Sequence, residues 1–169
     1  MTQPPPPKQK PRVPAVLLAT GVHYLERIEA AFSLALDAGC DGLELDIGPD
    51  QLLRGLEPVR RLMAATGLPV RAVHPPLYPL PGWHREPDTI ARLAEAALAL
   101  DTRTVVLHPP RCRDLAEPRL ARFAETLCTQ QARLASSGAR IVLENPGFFR
   151  CADASYPLWH VPALNRLAE

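Results

Sequence analysis

The sequence predicts an α/β fold with a parallel sheet, because short apolar runs alternate along it with longer amphipathic runs. Five of the short runs are rich in Val, Leu or Ile, as strands buried under helices should be. They are Ala15–Ala19, Gly42–Ile47, Val70–His74, Thr104–His108 and Arg140–Glu144. Short turns join the segments, so parallel strands with right-handed crossovers and four to five helices are expected.

The helices are predicted from apolar residues that recur every three or four positions. The clearest stripes are Leu25, Ile28, Phe32 and Leu36; Ile90, Leu93, Ala97 and Leu100; and Leu120, Phe123, Leu127 and Leu134. A further helix is predicted over Gln51–Thr66, and Pro162–Glu169 is compatible with the start of another. Gly39, Gly67 and Gly138 each fall between a helix pattern and the next strand, where a left-handed C-cap is expected.

Composition places residues 14–169 in one domain, preceded by a Pro-rich tail over residues 1–13 that is predicted to be disordered. The hydrophobic fraction of 47% and the net charge of +1 are those of an ordinary globular protein with no strong attraction for nucleic acid. No apolar run reaches the length of a membrane span, and no secretory signal is recognisable. Four cysteines without CxxC spacing add to the expectation of a cytoplasmic protein.

Four predicted strands carry a polar side chain at or near the C-terminal end, and these are Glu44, His74, His108 and Glu144. Their separations of 30, 34 and 36 residues each correspond to about one βα unit. The alternation of elements alone leaves a doubly wound sheet and a TIM barrel equally open. Functional groups on the C-terminal ends of successive strands favour a partial TIM barrel of about five strands, because TIM-barrel active sites are built there.

The side-chain period of two allows these four groups to point into one barrel mouth, with the alternate residues packing under helices. Proline follows His74 and His108 directly, and this ends each strand and holds its last side chain at the rim. The evidence for a functional role is weaker for Glu44, since Asp41 and Asp46 flank it and any of the three could pair with an arginine. Imidazole with carboxylate suits Zn²⁺, Mn²⁺ or Fe²⁺, so a divalent-metal site is predicted.

A GLEL strand followed in order by VHPP, VLHPP and VLENPG resembles the xylose isomerase-like TIM-barrel superfamily. That group includes sugar phosphate isomerases and epimerases and is related to endonuclease IV. The resemblance implies that Glu144 and His108 are metal ligands and catalytic groups. It implies that His74 is a metal ligand or lines the substrate site, and that Glu44 and Asn145 bind substrate.

The resemblance therefore implies a sugar phosphate isomerase or epimerase that moves a proton on a sugar or related polyol, with Zn, Mn, Mg or Fe as cofactor. Two alternatives stay open, an endonuclease IV-like hydrolase of abasic DNA and a non-catalytic partial barrel. Family barrels have eight strands, whereas five are predicted here, so the chain is expected to be truncated and not to retain a metal alone. Its open sheet edges are expected to favour self-association.

Overall fold

The computed structural model describes residues 15–83, 85–114 and 116–144. The strands are β1 (Leu17–Ala19), β2 (Gly42–Asp46), β3 (Val70–His74), β4 (Thr104–Leu107) and β5 (Arg140–Leu143). The α-helices are α1 (Ile28–Asp37), α2 (Pro49–Arg54), α3 (Glu57–Thr66), α4 (Glu86–Ala99) and α5 (Pro118–Leu134). The predicted tail at 1–13, Asn145 and the segment Pro162–Glu169 lie outside the described residues.

The five strands form one sheet in the order β1-β2-β3-β4-β5, and every neighbouring pair is parallel. Each strand lies beside its predecessor, as in a barrel, whereas the strand order of a doubly wound sheet reverses at a switch point. The predicted partial α/β barrel with five strands and five helices is therefore confirmed. Within the described part of the chain, no helix combines the length and apolar character needed to cross a bilayer.

The core lies between the sheet and the helices, and strand alternation decides which side chains enter it. Leu43 and Leu45 of β2 are fully buried there, together with Val73 of β3 and Val105 of β4. Glu44, between the two leucines, faces the opposite side. The alternation thus places apolar side chains under the helices and leaves the other face of each strand for the barrel interior.

A register shift between β2 and β3 adjusts this pattern. Leu43 pairs with Val70, but Glu44 pairs with Ala72, so Arg71 is an extra residue in β3. Val70 therefore joins the helix-side core, while Ala72 and His74 keep the interior face. Such a bulge re-aims the residues that follow it, and the last of them is a predicted site residue.

The helix predicted over Gln51–Thr66 is wrong in one respect, because the structure has two helices there, α2 and α3. The chain breaks at Gly55, which has φ of 68° and donates its N–H to the carbonyl of Gln51. A left-handed glycine ends a helix at low cost, and Pro58 fits the first turn of the next one. Gly39, Gly67 and Gly138 have φ of 67°, 72° and 71°, which confirms the predicted left-handed positions.

The predicted stripe of α1 is wrong at two positions. Leu25 precedes the helix and is 83% exposed, and Leu36 is 46% exposed. The buried face instead contains Ile28, Phe32 and small alanines, because Ala35 rather than Leu36 lies one turn after Phe32 on the core side. Small residues at these positions let the helix approach the sheet closely.

Three strands also end one residue earlier than predicted: β2 at Asp46, β4 at Leu107 and β5 at Leu143. Pro109 has no N–H to continue the ladder, so His108 lies just beyond β4 rather than in it. Glu144 follows β5 directly, and its N–H still donates to the carbonyl of Leu107 at 2.8 Å. Both side chains therefore start from the C-terminal edge of the sheet.

The orientation of α1 gives a stability prediction. Phe32→Ala should lower the free energy of unfolding by about 3–5 kcal/mol, because it removes a buried ring and leaves a cavity. Leu36→Ala on the same helix should cost about 1 kcal/mol or less, since half of that side chain is already in water. Urea denaturation of both variants measures the difference. Equal losses would mean that α1 faces the core with a different side.

The sheet edges give a second prediction. Among the described strands, β1 and β5 have one neighbour each, and we propose that they pair between copies of the chain. Leu17→Lys places a charge on the β1 edge and should weaken concentration-dependent association in sedimentation velocity. Leu53→Lys, at an 83% exposed position of α2, is the matched control and should leave the association unchanged. A wild-type chain that sediments as a monomer at high micromolar concentration would contradict the proposal.

Candidate metal centre

His74 is the last residue of β3 and is 95% buried, with an exposed fraction of 5%. Its Nδ1 lies 3.0 Å from Oδ1 of Asp46 and 2.8 Å from the carbonyl oxygen of Pro75. Both neighbours are acceptors, so Nδ1 carries the proton and donates. The lone pair of neutral His74 is therefore on Nε2, which faces the interior of the mouth.

Asp46 is the last residue of β2 and the direct register partner of His74. Its Oδ2 accepts a hydrogen bond from the N–H of Gly21 at 2.7 Å, and its own N–H donates to Oγ1 of Thr20 at 2.8 Å. The sequence interpretation assigned the end of this strand to Glu44, but Glu44 lies inside β2, two residues earlier. Asp46 and Glu44 point to the same face of β2. The register between β2 and β3 decides which of them lies beside His74, and no pattern in the sequence shows that register.

His108 follows β4 and meets His74 across the mouth. The two Nε2 atoms are 3.0 Å apart, and the rings are edge to face with centroids 4.9 Å apart. Nδ1 of His108 lies 3.4 Å from the carbonyl oxygen of Glu144, to which it can donate a long hydrogen bond. With the proton of His108 on Nδ1, its lone pair is also on Nε2.

Glu144 completes the cluster from the end of β5. Its Oε2 lies 3.7 Å from Nε2 of His74, and its side chain is 53% exposed. Among the described residues, one ligand atom from each of His74, His108 and Glu144 lies within 4.8 Å of the others. The structure thus brings three of the predicted site residues together at one mouth of the sheet.

The donor set fits a divalent cation. Two Nε2 lone pairs that face each other at 3.0 Å repel unless a proton or a cation lies between them. Two ligands held about 2.1 Å from one ion are roughly 3.0–3.4 Å apart, so the observed spacing suits a shared metal. Two imidazoles with one carboxylate suit Zn²⁺, Mn²⁺ or Fe²⁺. His74, His108 and Glu144 are therefore a possible metal site.

The pKa values of the two histidines are shifted in opposite directions. Burial lowers the pKa of His74, but the hydrogen bond and the charge of Asp46 outweigh it, and the net pKa is raised. Burial lowers the pKa of His108, and the neighbouring charge of His74 lowers it further. His108 therefore loses its proton first as the pH rises, and a metal requires both rings to be neutral.

Glu44 lies on the same side of β2 and lines the same mouth, a cavity of about 700 Å³. Burial raises the pKa of its carboxyl, and the charges of Asp46 and Glu144 add to the effect, while that of His74 opposes it. Arg111 and Arg119 line the same cavity, and Arg119 forms an ion pair with Glu86. Arg119 was not predicted, since it belongs to a helix and its sequence context resembles that of any surface arginine.

No family model matches the sequence. The chain is 34% identical over 137 residues to uncharacterized proteins of Mycobacterium leprae and of Mycobacterium tuberculosis. The match covers 79% of this chain and 47% of each relative. The chain thus spans about half the length of the curated relatives it matches.

Three solved structures are similar to this fold. A 3-keto-D-glucoside 4-epimerase from E. coli matches with a TM-score of 0.56 and 19% identity, over 77% of this chain and 56% of its own. A D-tagatose 3-epimerase-like protein matches with a TM-score of 0.58 and 19% identity, over 80% of this chain and 54% of its own. A xylose isomerase domain containing protein from Salmonella typhimurium matches with a TM-score of 0.59 and 18% identity, over 90% of this chain and 57% of its own. The five parallel strands described here and the helices between them therefore have the fold of part of a xylose isomerase-like TIM barrel.

Proposed function

We propose that the chain carries part of the active site of a sugar or sugar phosphate isomerase or epimerase that depends on a divalent metal. One observation carries the proposal: ligand atoms of His74, His108 and Glu144 lie within 4.8 Å of one another at the C-terminal mouth of a parallel barrel sheet. This is the face where TIM barrels build their active sites. The sugar epimerases among the structural neighbours support the substrate class.

The metal would be held by Nε2 of His74, Nε2 of His108 and a carboxylate oxygen of Glu144. When bound, it would act as a Lewis acid on a sugar carbonyl or hydroxyl, which makes the adjacent carbon easier to deprotonate. Both nitrogens of His74 are engaged, one by Asp46 and Pro75 and the other toward His108. A ligand role therefore suits His74 better than a direct contact with substrate.

The carboxylates are the groups that we propose to meet the sugar. Glu44 is half-buried beside the histidines, and burial raises the pKa of its carboxyl, which makes the carboxylate a stronger base toward a substrate proton. Half of the Glu144 side chain faces solvent, so one of its oxygens can reach a substrate while the other stays near the imidazoles. Asn145, proposed as a further substrate contact, follows Glu144 in the chain but lies outside the described residues.

The size and charge of the cavity fit a polar small molecule. A volume of about 700 Å³ accommodates a monosaccharide or its phosphate. Acidic side chains, the two histidines, Arg111 and Arg119 all line it. We propose that the sugar hydroxyls contact the acidic and histidine side chains and that Arg111 stabilises a phosphate or other anionic group where the substrate has one.

Metal binding gives the first test. His108→Asn removes one Nε2 ligand, so we expect Co²⁺ affinity in a visible-absorbance titration to fall by about 100-fold or more, given that outer-shell changes alone cost about 10–100-fold. His23→Asn is the matched control, because His23 lies outside the cluster and pairs with Glu26 at 3.0 Å. Unchanged affinity in His108→Asn, or an equal loss in His23→Asn, would remove His108 from the site.

Proton transfer gives the second test. In D₂O with Mn²⁺ or Zn²⁺, a panel of aldoses, ketoses and their phosphates should gain deuterium on a carbon next to the carbonyl, measured by NMR. Glu144→Gln should slow this exchange at least about 100-fold, the scale of a lost acid–base group. Glu125→Gln, an exposed position on α5, should leave it unchanged.

Two results would contradict the proposed reaction. Cleavage of an abasic-site oligonucleotide without any sugar exchange would indicate a phosphodiester hydrolase. A chain that binds the metal but catalyses neither reaction would indicate a non-catalytic partial barrel.

A further inference from the structure

Asp46 has no place in the three-ligand cluster, yet it contacts one of the ligands and is itself 94% buried, with an exposed fraction of 6%. We propose that Asp46 is a positioning residue, which fixes His74 in the tautomer and orientation that present Nε2 to His108 and Glu144. The inference deepens the proposed function and rests on the metal site described above. It concerns a residue of this chain that acts through His74 and not on the substrate.

The geometry around the carboxylate shows two donors on its two oxygens. Oδ1 lies 3.0 Å from Nδ1 of His74, and Oδ2 accepts the N–H of Gly21 at 2.7 Å. The N–H of Gly21 is always a donor. Since a carboxylate can accept from both sides, it leaves His74 free to keep its proton on Nδ1.

An amide could not perform the same task. Asn at position 46 would have one oxygen and one NH₂ for the two partners, and the N–H of Gly21 requires the oxygen. The NH₂ would then face Nδ1 of His74 and favour an imidazole that accepts there. The proton would move to Nε2, the atom that has to be free for the metal. The Pro75 carbonyl, 2.8 Å from Nδ1, would oppose this shift and so yield a mixture of tautomers.

The residues that hold Asp46 directly follow β1 and begin the 3₁₀ turn Thr20–His23. Thr20 accepts the N–H of Asp46 through its buried hydroxyl, and Gly21 binds the carboxylate. A Cβ at Gly21 would lie 3.2 Å from Oδ2 and 2.9 Å from a methyl of Leu77, so glycine permits this close approach. The turn after β1, a strand that supplies none of the three ligands, thus helps to fix the direction of a ligand on β3.

The first measurement is the tautomer of His74 in the metal-free full chain, by long-range ¹H–¹⁵N spectra at alkaline pH, where both rings are neutral. The wild type should show His74 protonated on Nδ1. Asp46→Asn should raise the Nε2–H population, whereas Glu44→Gln, which removes a carboxylate charge from the same face of β2, should leave the tautomer unchanged. An Nε2–H tautomer in the wild type, or an unchanged spectrum in Asp46→Asn, would overturn the proposal.

The second measurement is Zn²⁺ affinity by competition with a chelating dye. Asp46→Asn should lower it by about 10–100-fold, the effect expected of an outer-shell partner. A loss no larger than that of Glu44→Gln would show that charge alone is responsible and would overturn the proposal. Circular dichroism checks folding, and if Asp46→Asn does not fold, the smaller Asp46→Ser replaces it, with the same loss of affinity expected.

These readouts separate the inference from the proposed function. The tautomer is measured without metal or substrate, so it tests Asp46 even if no sugar is turned over. Absence of exchange in D₂O, with the tautomer and affinity results as expected, would overturn the isomerase proposal alone. The reverse pattern would overturn the role of Asp46 alone.

Discussion

The structure depends on one constraint, the alternation of side chains along parallel strands that are covered by helices on one face. Leu43 and Leu45 must face the helices to build the core, and this forces Glu44 and Asp46 to the other face. The same constraint operates in every neighbouring strand. Polar groups that would be costly in the core are thereby collected on the interior face, and those nearest the C-terminal ends of the strands meet at one mouth.

The three ligands and Asp46 lie at the ends of four consecutive strands, so the distances between their side chains depend on the register of those strands. Asp46 contacts His74 because the two are register partners, and the bulge at Arg71 sets the register that pairs them. His108 and Glu144 follow the paired ends of β4 and β5. Helix packing against the outer face fixes the same registers, so core stability and site geometry are coupled.

Most of the fold could be predicted from the sequence, because apolar spacing and helix-ending glycines depend on local geometry. It was less informative where a choice depended on contacts between distant segments. Leu36 fits the stripe of a helix on its own, but the position of the sheet selects the face that contains Phe32 and Ala35. The break at Gly55 was missed because the apolar periodicity continues across it, although one left-handed residue is enough to end a helix.

For the site, the order of residues along the chain was enough to single out His74, His108 and Glu144, since strand period and proline position are local properties of the sequence. The residue that orients His74 was decided by the tertiary structure. Asp41, Glu44 and Asp46 are equivalent as carboxylates in a short acidic segment, and only the pairing of β2 with β3 places Asp46 beside the imidazole. Register is set by the packing of the whole sheet, and for that reason no segment of the sequence contains it alone.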